Sequence, residues 1–175
     1  LYPKSYLDYL HHFHCDRDYF ECHEVLEEYW KERDASEREI HWVALIQVAV
    51  GLYHHRRGNI NGSLRMLQNA RRIIKKETAA IDALGLDSGK LILVLDEHIG
   101  RVSRHEPYTS LNLPIADPDL QLSCESRAKS ERKVWGVASD LLDVSLVNRH
   151  TLRDRSDVIN ERRRQLELRK RQGSD

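Results

Sequence analysis

The chain has 175 residues and a mass of 20.5 kDa, the size of one ordinary domain or one domain with an appendage. Hydrophobic residues make up 40% and charged residues 32%, enough apolar material for a core, and lysine plus arginine balance aspartate plus glutamate at 28 each. That balance excludes a uniformly basic nucleic-acid binder and a supercharged acidic protein, but it hides a gradient: residues 1–60 carry 7 basic and 11 acidic side chains, residues 126–175 carry 13 and 8.

In chain order the apolar spacing is helical almost throughout. Pro3 suits the first turn of a short helix, with Tyr6, Leu7, Leu10, Phe13 and His14 on one face. Cys15-Asp16-Arg17 breaks it. Asp18 followed by Glu21 reads as a capping-box start for a second helix running to about Arg33. A third helix, roughly Glu39 to Arg57, stops at Gly58-Asn59. Asn61 or Ser63 is the expected cap of a fourth, which carries Leu64, Leu67, Ala70, Ile73 and Ile74. A fifth spans about Ser88 to Ser103.

No alternating run is long enough for a strand, so the fold class is all-α: a compact bundle of about four to five helices. Pro107, Pro114 and Pro118 then mark an extended strap whose Tyr108, Leu111, Leu113 and Ile115 would lie across the bundle. From Arg153 the chain reads as a charged helix ending in Arg169-Lys170-Arg171. The expected division is a bundle over 1–105 and a strap with a basic helical extension over 106–175.

No stretch approaches the roughly 18 apolar residues of a membrane span. The start, Leu1-Tyr2-Pro3-Lys4, has no signal-peptide character, and three cysteines (Cys15, Cys22, Cys124) fit a reducing compartment. A cytoplasmic protein without membrane partners is expected. The arginines at 162–164 could meet phosphates, but interspersed Glu161 and Glu167 and the lack of aromatics favour a solvated face over a nucleic-acid surface. A homo-oligomer stays open, since the strap could cover its own bundle or a second subunit.

Two helices place polar groups where core is expected. In the second, Glu21, Glu24, Glu28 and Glu32 lie opposite an apolar stripe of Tyr19, Cys22, Leu26, Tyr29 and Trp30. His23 and Glu27 sit on its flank one turn apart. The third helix is apolar on all sides except at Gln47, with His54 on the same side and Gly51 between them at a point of close approach. A buried, unpaired carboxylate costs several kcal/mol, so Glu27 must be paired, hydrated, protonated or metal-bound if it is buried. The sharp reading has His23, Glu27 and His54 converging on a divalent transition metal, with Glu24 and Gln47 orienting them or serving as alternate ligands and His14 as a further candidate. An open position on the metal would then activate water, giving hydrolase-like chemistry.

Two plainer readings stay open: a hydrogen-bonded core network, and a metal-free acid–base pocket. His23-Glu24-x-x-Glu27 lacks the second histidine of the zinc-protease pattern. Cys22 reads as a buried structural thiol, and His11, His12, His55 and Arg56-Arg57 as solvated or helix-terminal groups.

Tyr19-Phe20-Glu21-Cys22-His23-Glu24-Val25-Leu26-Glu27-Glu28-Tyr29-Trp30, followed by Leu45-Ile46-Gln47-Val48-Ala49-Val50 and His54, resembles the two signature blocks of the DUF309 family of small bacterial and archaeal helical proteins. The resemblance covers about residues 10–75. The whole chain is similar to the longer form found in Bacillus-type bacteria. It implies a compact helical bundle and a shared polar set at His23, Glu24, Glu27, Gln47 and His54, and it implies no activity. The alternative from another class is a non-enzymatic interaction or scaffold module, its polar cluster structural and its basic tail docking a partner.

Overall fold

The computed structural model describes residues 1–152. Helix α1 (Lys4–His11) follows Pro3 and buries Tyr6, Tyr9, Leu10 and His11. It widens into a π-helical turn over His12–Asp16 and stops at Arg17, whose φ of 51° is left-handed. That conformation costs a non-glycine residue about 1–2 kcal/mol, and the bonds of a fully buried guanidinium hold it there. Asp18 then caps α2 (Tyr19–Lys31) by accepting the Glu21 N–H at 3.0 Å, as the sequence predicts.

Helix α3 (Ile40–Arg56) is the centre of the bundle, with α2 on one side and α4 (Ile60–Lys76) on the other. An all-round apolar sequence suits a helix covered on all sides. Gly51 makes the second contact possible: a Cβ there would lie 2.6 Å from Leu67 Cδ2 of α4. Gly58, at φ 76°, ends the α3 connection. The cap of α4 is Asn59, accepting the Gly62 N–H at 2.9 Å, rather than Asn61 or Ser63. The left-handed turn at Gly58 frees the next residue to cap, and Ser63 is already buried inside the helix.

A short α5 (Thr78–Ala83) leads through Gly85 to α6 (Ser88–Ser103), which packs on α4. Gly85 is required twice over, by its φ of 74° and because a Cβ would strike the Tyr2 hydroxyl at 2.5 Å. The strap follows. Leu111 and Leu113 are buried, Tyr108 and Ile115 pack on the core, and one antiparallel bridge joins Ile115 to Leu86. The strap therefore covers its own bundle. Pro118 opens α7 (Pro118–Ser130) instead of extending the strap, with Asp117 as cap, and α7 packs against α1.

Two four-residue helices, α8 (Val144–Val147) and α9 (Arg149–Leu152), end the described chain. The architecture is the all-α bundle that the periodicity predicts, with more short helices around it. The charged helix expected from Arg153 onward lies outside the described residues. Among the described residues no helix is long and apolar enough to cross a membrane.

Candidate functional site

The apolar stripe of α2 turns Tyr19, Cys22 and Leu26 fully inward, which leaves His23 and Glu27 on the flank at the edge of the core. Their one-turn spacing brings His23 Nε2 to 3.4 Å from Glu27 Oε2. The other ring nitrogen, Nδ1, lies 3.2 Å from Glu24 Oε1. One ligand-type atom from each of His23, Glu24 and Glu27 falls within 4.8 Å of the others. Among the described residues this is the one such grouping of histidine, cysteine and acidic side chains. Lys31, a turn further on, places Nζ 3.0 Å from Glu27 Oε1.

The cluster is half-buried, its side chains 28%, 33% and 36% exposed in chain order. The sequence leaves Glu27 to be paired, hydrated, protonated or metal-bound if buried, and at 36% exposure it is hydrated and paired. A flank position lets the carboxylate keep water and a lysine while its stem packs, so the burial penalty falls away. All three residues also come from one helix rather than from two facing ones.

On α3, His54 is half-buried and its Nδ1 lies 3.1 Å from Asn59 Nδ2, at the capping residue of α4. Burial lowers its pKa. Contacts between rings lead from His23 to Phe20 (6.2 Å), on to Tyr53 (6.4 Å) and then to His54 (6.4 Å), but His54 is not part of the three-residue grouping. Gln47 has a buried side-chain oxygen with no hydrogen-bond partner among the described residues.

His14 is buried with both ring nitrogens engaged. Nδ1 lies 2.8 Å from the Leu10 carbonyl, which can only accept, so Nδ1 carries the proton. Nε2 accepts the Leu113 N–H at 3.0 Å, and the ring stacks on Trp135 at 4.2 Å. Burial pulls its pKa down to about 4, and it serves as a neutral latch on the strap. Cys22 is fully buried, and burial raises its thiol pKa, as expected of a structural thiol.

Beside the cluster runs a cleft of about 610 Å³, lined on the α2 side by Phe20, Glu21, Glu24 and Glu28 and on the other by Ser145, Arg149 and Leu152. Arg149 forms an ion pair with Asp18, the cap of α2.

Three polar groups expected at solvated or helix-terminal positions are helix-terminal but organise the interior. His11, His55 and Arg56 are buried. His55 Nε2 donates to the Glu106 carbonyl at 2.9 Å, which leaves its Nδ1 to accept from His98 Nε2 at 3.1 Å. Arg17 donates to the carbonyls of Val137, Phe13 and Leu111 and to Asn112 Oδ1. Arg56 donates to the carbonyls of Arg17 and Leu146 and lies 4.7 Å over the Tyr19 ring. A signal was present: His55 and Arg56 lie three and four residues beyond buried Leu52, on the same inward face of α3.

The comparisons bear on this site directly. The family described as Domain of unknown function (DUF309) matches residues 6–66, a span that includes His23, Glu24, Glu27, Gln47 and His54. The "Uncharacterized protein YpuF" of Bacillus subtilis (strain 168) is 45% identical over 170 residues, covering 97% of this chain and 98% of its own length. No solved structure matches. With its signature blocks in place and a full-length relative at that identity, the chain belongs to the DUF309 family.

Proposed function

We propose that the His23–Glu24–Glu27 face of α2 binds a divalent transition-metal ion. The observation that carries this reading is the meeting of one imidazole and two carboxylates with ligand-type atoms within 4.8 Å. Imidazole with carboxylate suits zinc, manganese or cobalt. His23 Nε2 and Glu27 Oε2 are the first ligands, and the Glu24 carboxylate at Nδ1 fixes the ring's tautomer and orientation. From α3, the Gln47 side-chain oxygen, which has no hydrogen-bond partner among the described residues, supports a role in receiving a ligand or water, while His54 stands outside the grouping and would join only as a further ligand. Such a site has coordination positions to spare and supplies Lewis-acid chemistry suited to hydrolysis in the adjoining cleft.

The test is titration of metal-stripped, untagged protein with Mn²⁺, Co²⁺ and Zn²⁺. One ion per chain is expected, lost in His23→Ala and Glu27→Gln and weakened roughly 10- to 100-fold in Glu24→Gln. No saturable binding, or binding unchanged in His23→Ala, refutes the reading. The second reading, a non-enzymatic interaction module, is favoured by Lys31, which already supplies a cation at 3.0 Å from Glu27. It predicts no metal and variants altered only in stability.

A further inference from the structure

Helix α4 carries five basic residues and no acidic one over its 17 residues. Its apolar side, with Leu67, Ala70, Ile73 and Ile74, is packed in the core. On the opposite side Asn61, Arg65, Gln68, Arg72 and Lys75 are all exposed and, at about 100° per residue, fall within an arc of about 80°. They run about 21 Å along the helix. A shallow groove over this face is lined by Asn61, Leu64, Arg65, Gln68, Asn69 and Arg72. Most of the positive charge is uncompensated. Among the described residues only Arg71 of the five forms an ion pair, with Asp96 of α6. Arg72 donates to the neutral Asn69 Oδ1 at 2.6 Å, and Arg65, Lys75 and Lys76 have no ion-pair partner among the described residues. Arg57, in the turn before α4, also has a neutral partner, Asn148 Oδ1 at 3.2 Å. Its charge and that of Arg65 both bear on His54, adding to the burial that lowers the histidine's pKa.

We propose that the exposed face of α4 is a docking surface for duplex DNA, with Arg65, Arg72, Lys75 and Lys76 on phosphates and Asn61, Gln68 and Asn69 turned to base edges. Charge complementarity selects this occupant. Duplex DNA holds one negative charge per about 1.7 Å of axis, so a cationic stripe about 21 Å long meets a dense row of phosphates. The face also interleaves amides with guanidinium groups at one-turn spacing. Asparagine and glutamine pair with adenine edges in a major groove about 12 Å wide, which takes a helix about 10–12 Å across. The major groove of A-form RNA is too narrow for side chains to read. An acidic protein partner needs anchors, and this face exposes no aromatic or large apolar side chain, Leu64 being half-buried. An anionic bilayer is entered by helices with a free apolar face, and that of α4 is covered by the core. The chain's balanced charge leaves room for one basic face because acidic residues gather elsewhere, four of them on α2. None of this depends on the metal reading above.

Fluorescence anisotropy of a labelled duplex of about two helical turns, titrated with the full chain, tests it. Four phosphate contacts give a slope of log affinity against log salt of about −3.6, a loss of about 150-fold between roughly 50 and 200 mM salt. Arg65→Gln/Arg72→Gln should flatten that slope by about 2 and weaken binding roughly 60-fold near about 0.1 M salt. Both arginines are exposed, and circular dichroism checks that the fold is kept. Lys75→Gln/Lys76→Gln is an independent pair and should do the same. Asn61→Ala/Gln68→Ala should keep the slope and lose affinity for duplexes containing adenine more than for G·C-only ones; equal loss on both overturns the base-edge role. No binding near about 50 mM salt overturns the proposal. Binding unchanged in the Arg65/Arg72 variant, yet lost when Arg162–Arg164 become Gln, moves the contact off α4 and overturns it too. Equal affinity for polyglutamate, or for vesicles of phosphatidylcholine and phosphatidylserine, overturns the choice of DNA, and equal affinity for duplex RNA overturns docking in the major groove.

Discussion

Acid should release the strap before it unfolds the bundle's ion pairs. Two histidine contacts hold the strap or its entry: His14 accepts the Leu113 N–H, and the His98–His55 pair ends on the Glu106 carbonyl. Burial drives both His14 and His98 down to about 4 from 6.5, with the Arg17 charge adding at His14 and His55 and Arg101 at His98. Between those values the unfolded chain holds a proton at each site that the folded chain does not. Stability is therefore intact above about pH 6.5 and falls as pH drops toward 4, by about 1.4 kcal/mol per pH unit per group. Over the window each histidine costs about 3 kcal/mol, a large share of a domain's usual 5–15 kcal/mol. Burial lowers His11, His41 and His54 as well, with the same sign. Asp16, raised by burial but brought to about 2 by hydrogen bonds from His12 and Lys133, loses its contribution only between its ordinary 3.8 and 2, outside this window. Urea titrations from pH 7.5 to 4.5, followed by circular dichroism and by the fluorescence of Trp135 against the His14 ring, measure the slope. His14→Gln keeps an acceptor for Leu113 but cannot titrate, and should remove about 1.4 kcal/mol per pH unit from that slope. A flat profile between pH 6.5 and 4.5, or a slope in His14→Gln and His98→Gln equal to that of the unsubstituted protein, refutes the reasoning.

Three further substitutions test the packing. Arg17→Met strands the carbonyls of Val137, Phe13 and Leu111 and should cost about 3–5 kcal/mol by urea denaturation, far more than a surface arginine. Gly51→Ala drives a methyl into Leu67 and should cost about 1–3 kcal/mol, recovered in part by Leu67→Val in a double-mutant cycle. Asn59→Ala removes the cap of α4 and should cost about 1 kcal/mol, while Asn61→Ala, which caps nothing, should stay within about 0.5 kcal/mol.

Much of the fold is legible in the sequence because one-dimensional rules govern it. The spacing of Tyr19, Cys22 and Leu26 reports an inward face directly, and Asp18 and Gly58 mark boundaries through their own backbone chemistry. The pairing of His23 with Glu27 is legible for the same reason, since residues four apart on a helix are neighbours whatever surrounds them, whereas the contact of His23 with adjacent Glu24 follows from no spacing rule. What periodicity cannot supply is depth. Glu27 and Arg56 are both charged residues beside an apolar stripe, yet one keeps water and the other is buried. The difference lies in residues far along the chain: Ser139 and Leu146 close over Arg56, and no spacing rule near position 56 announces them.

That dependence links the signature region to the rest of the chain. Arg17 and Arg56 lie within the span matched by the family, residues 6–66, but most of their partners lie at 111, 112, 137, 139 and 146. Two buried guanidinium groups are tolerable only while those carbonyls and hydroxyls stay in place, because an uncompensated buried charge costs several kcal/mol. Burial of the arginines and docking of the later segment are therefore one event energetically. Leu146, held by Arg56, leads into Arg149, which reaches back to Asp18, and this closed circuit sets the second wall of the cleft beside Glu24. The half-exposed cluster on α2 supplies the ligand-type atoms. The arginine core decides which part of the chain stands opposite them, and in this protein it is the part that carries Ser145, Arg149 and Leu152.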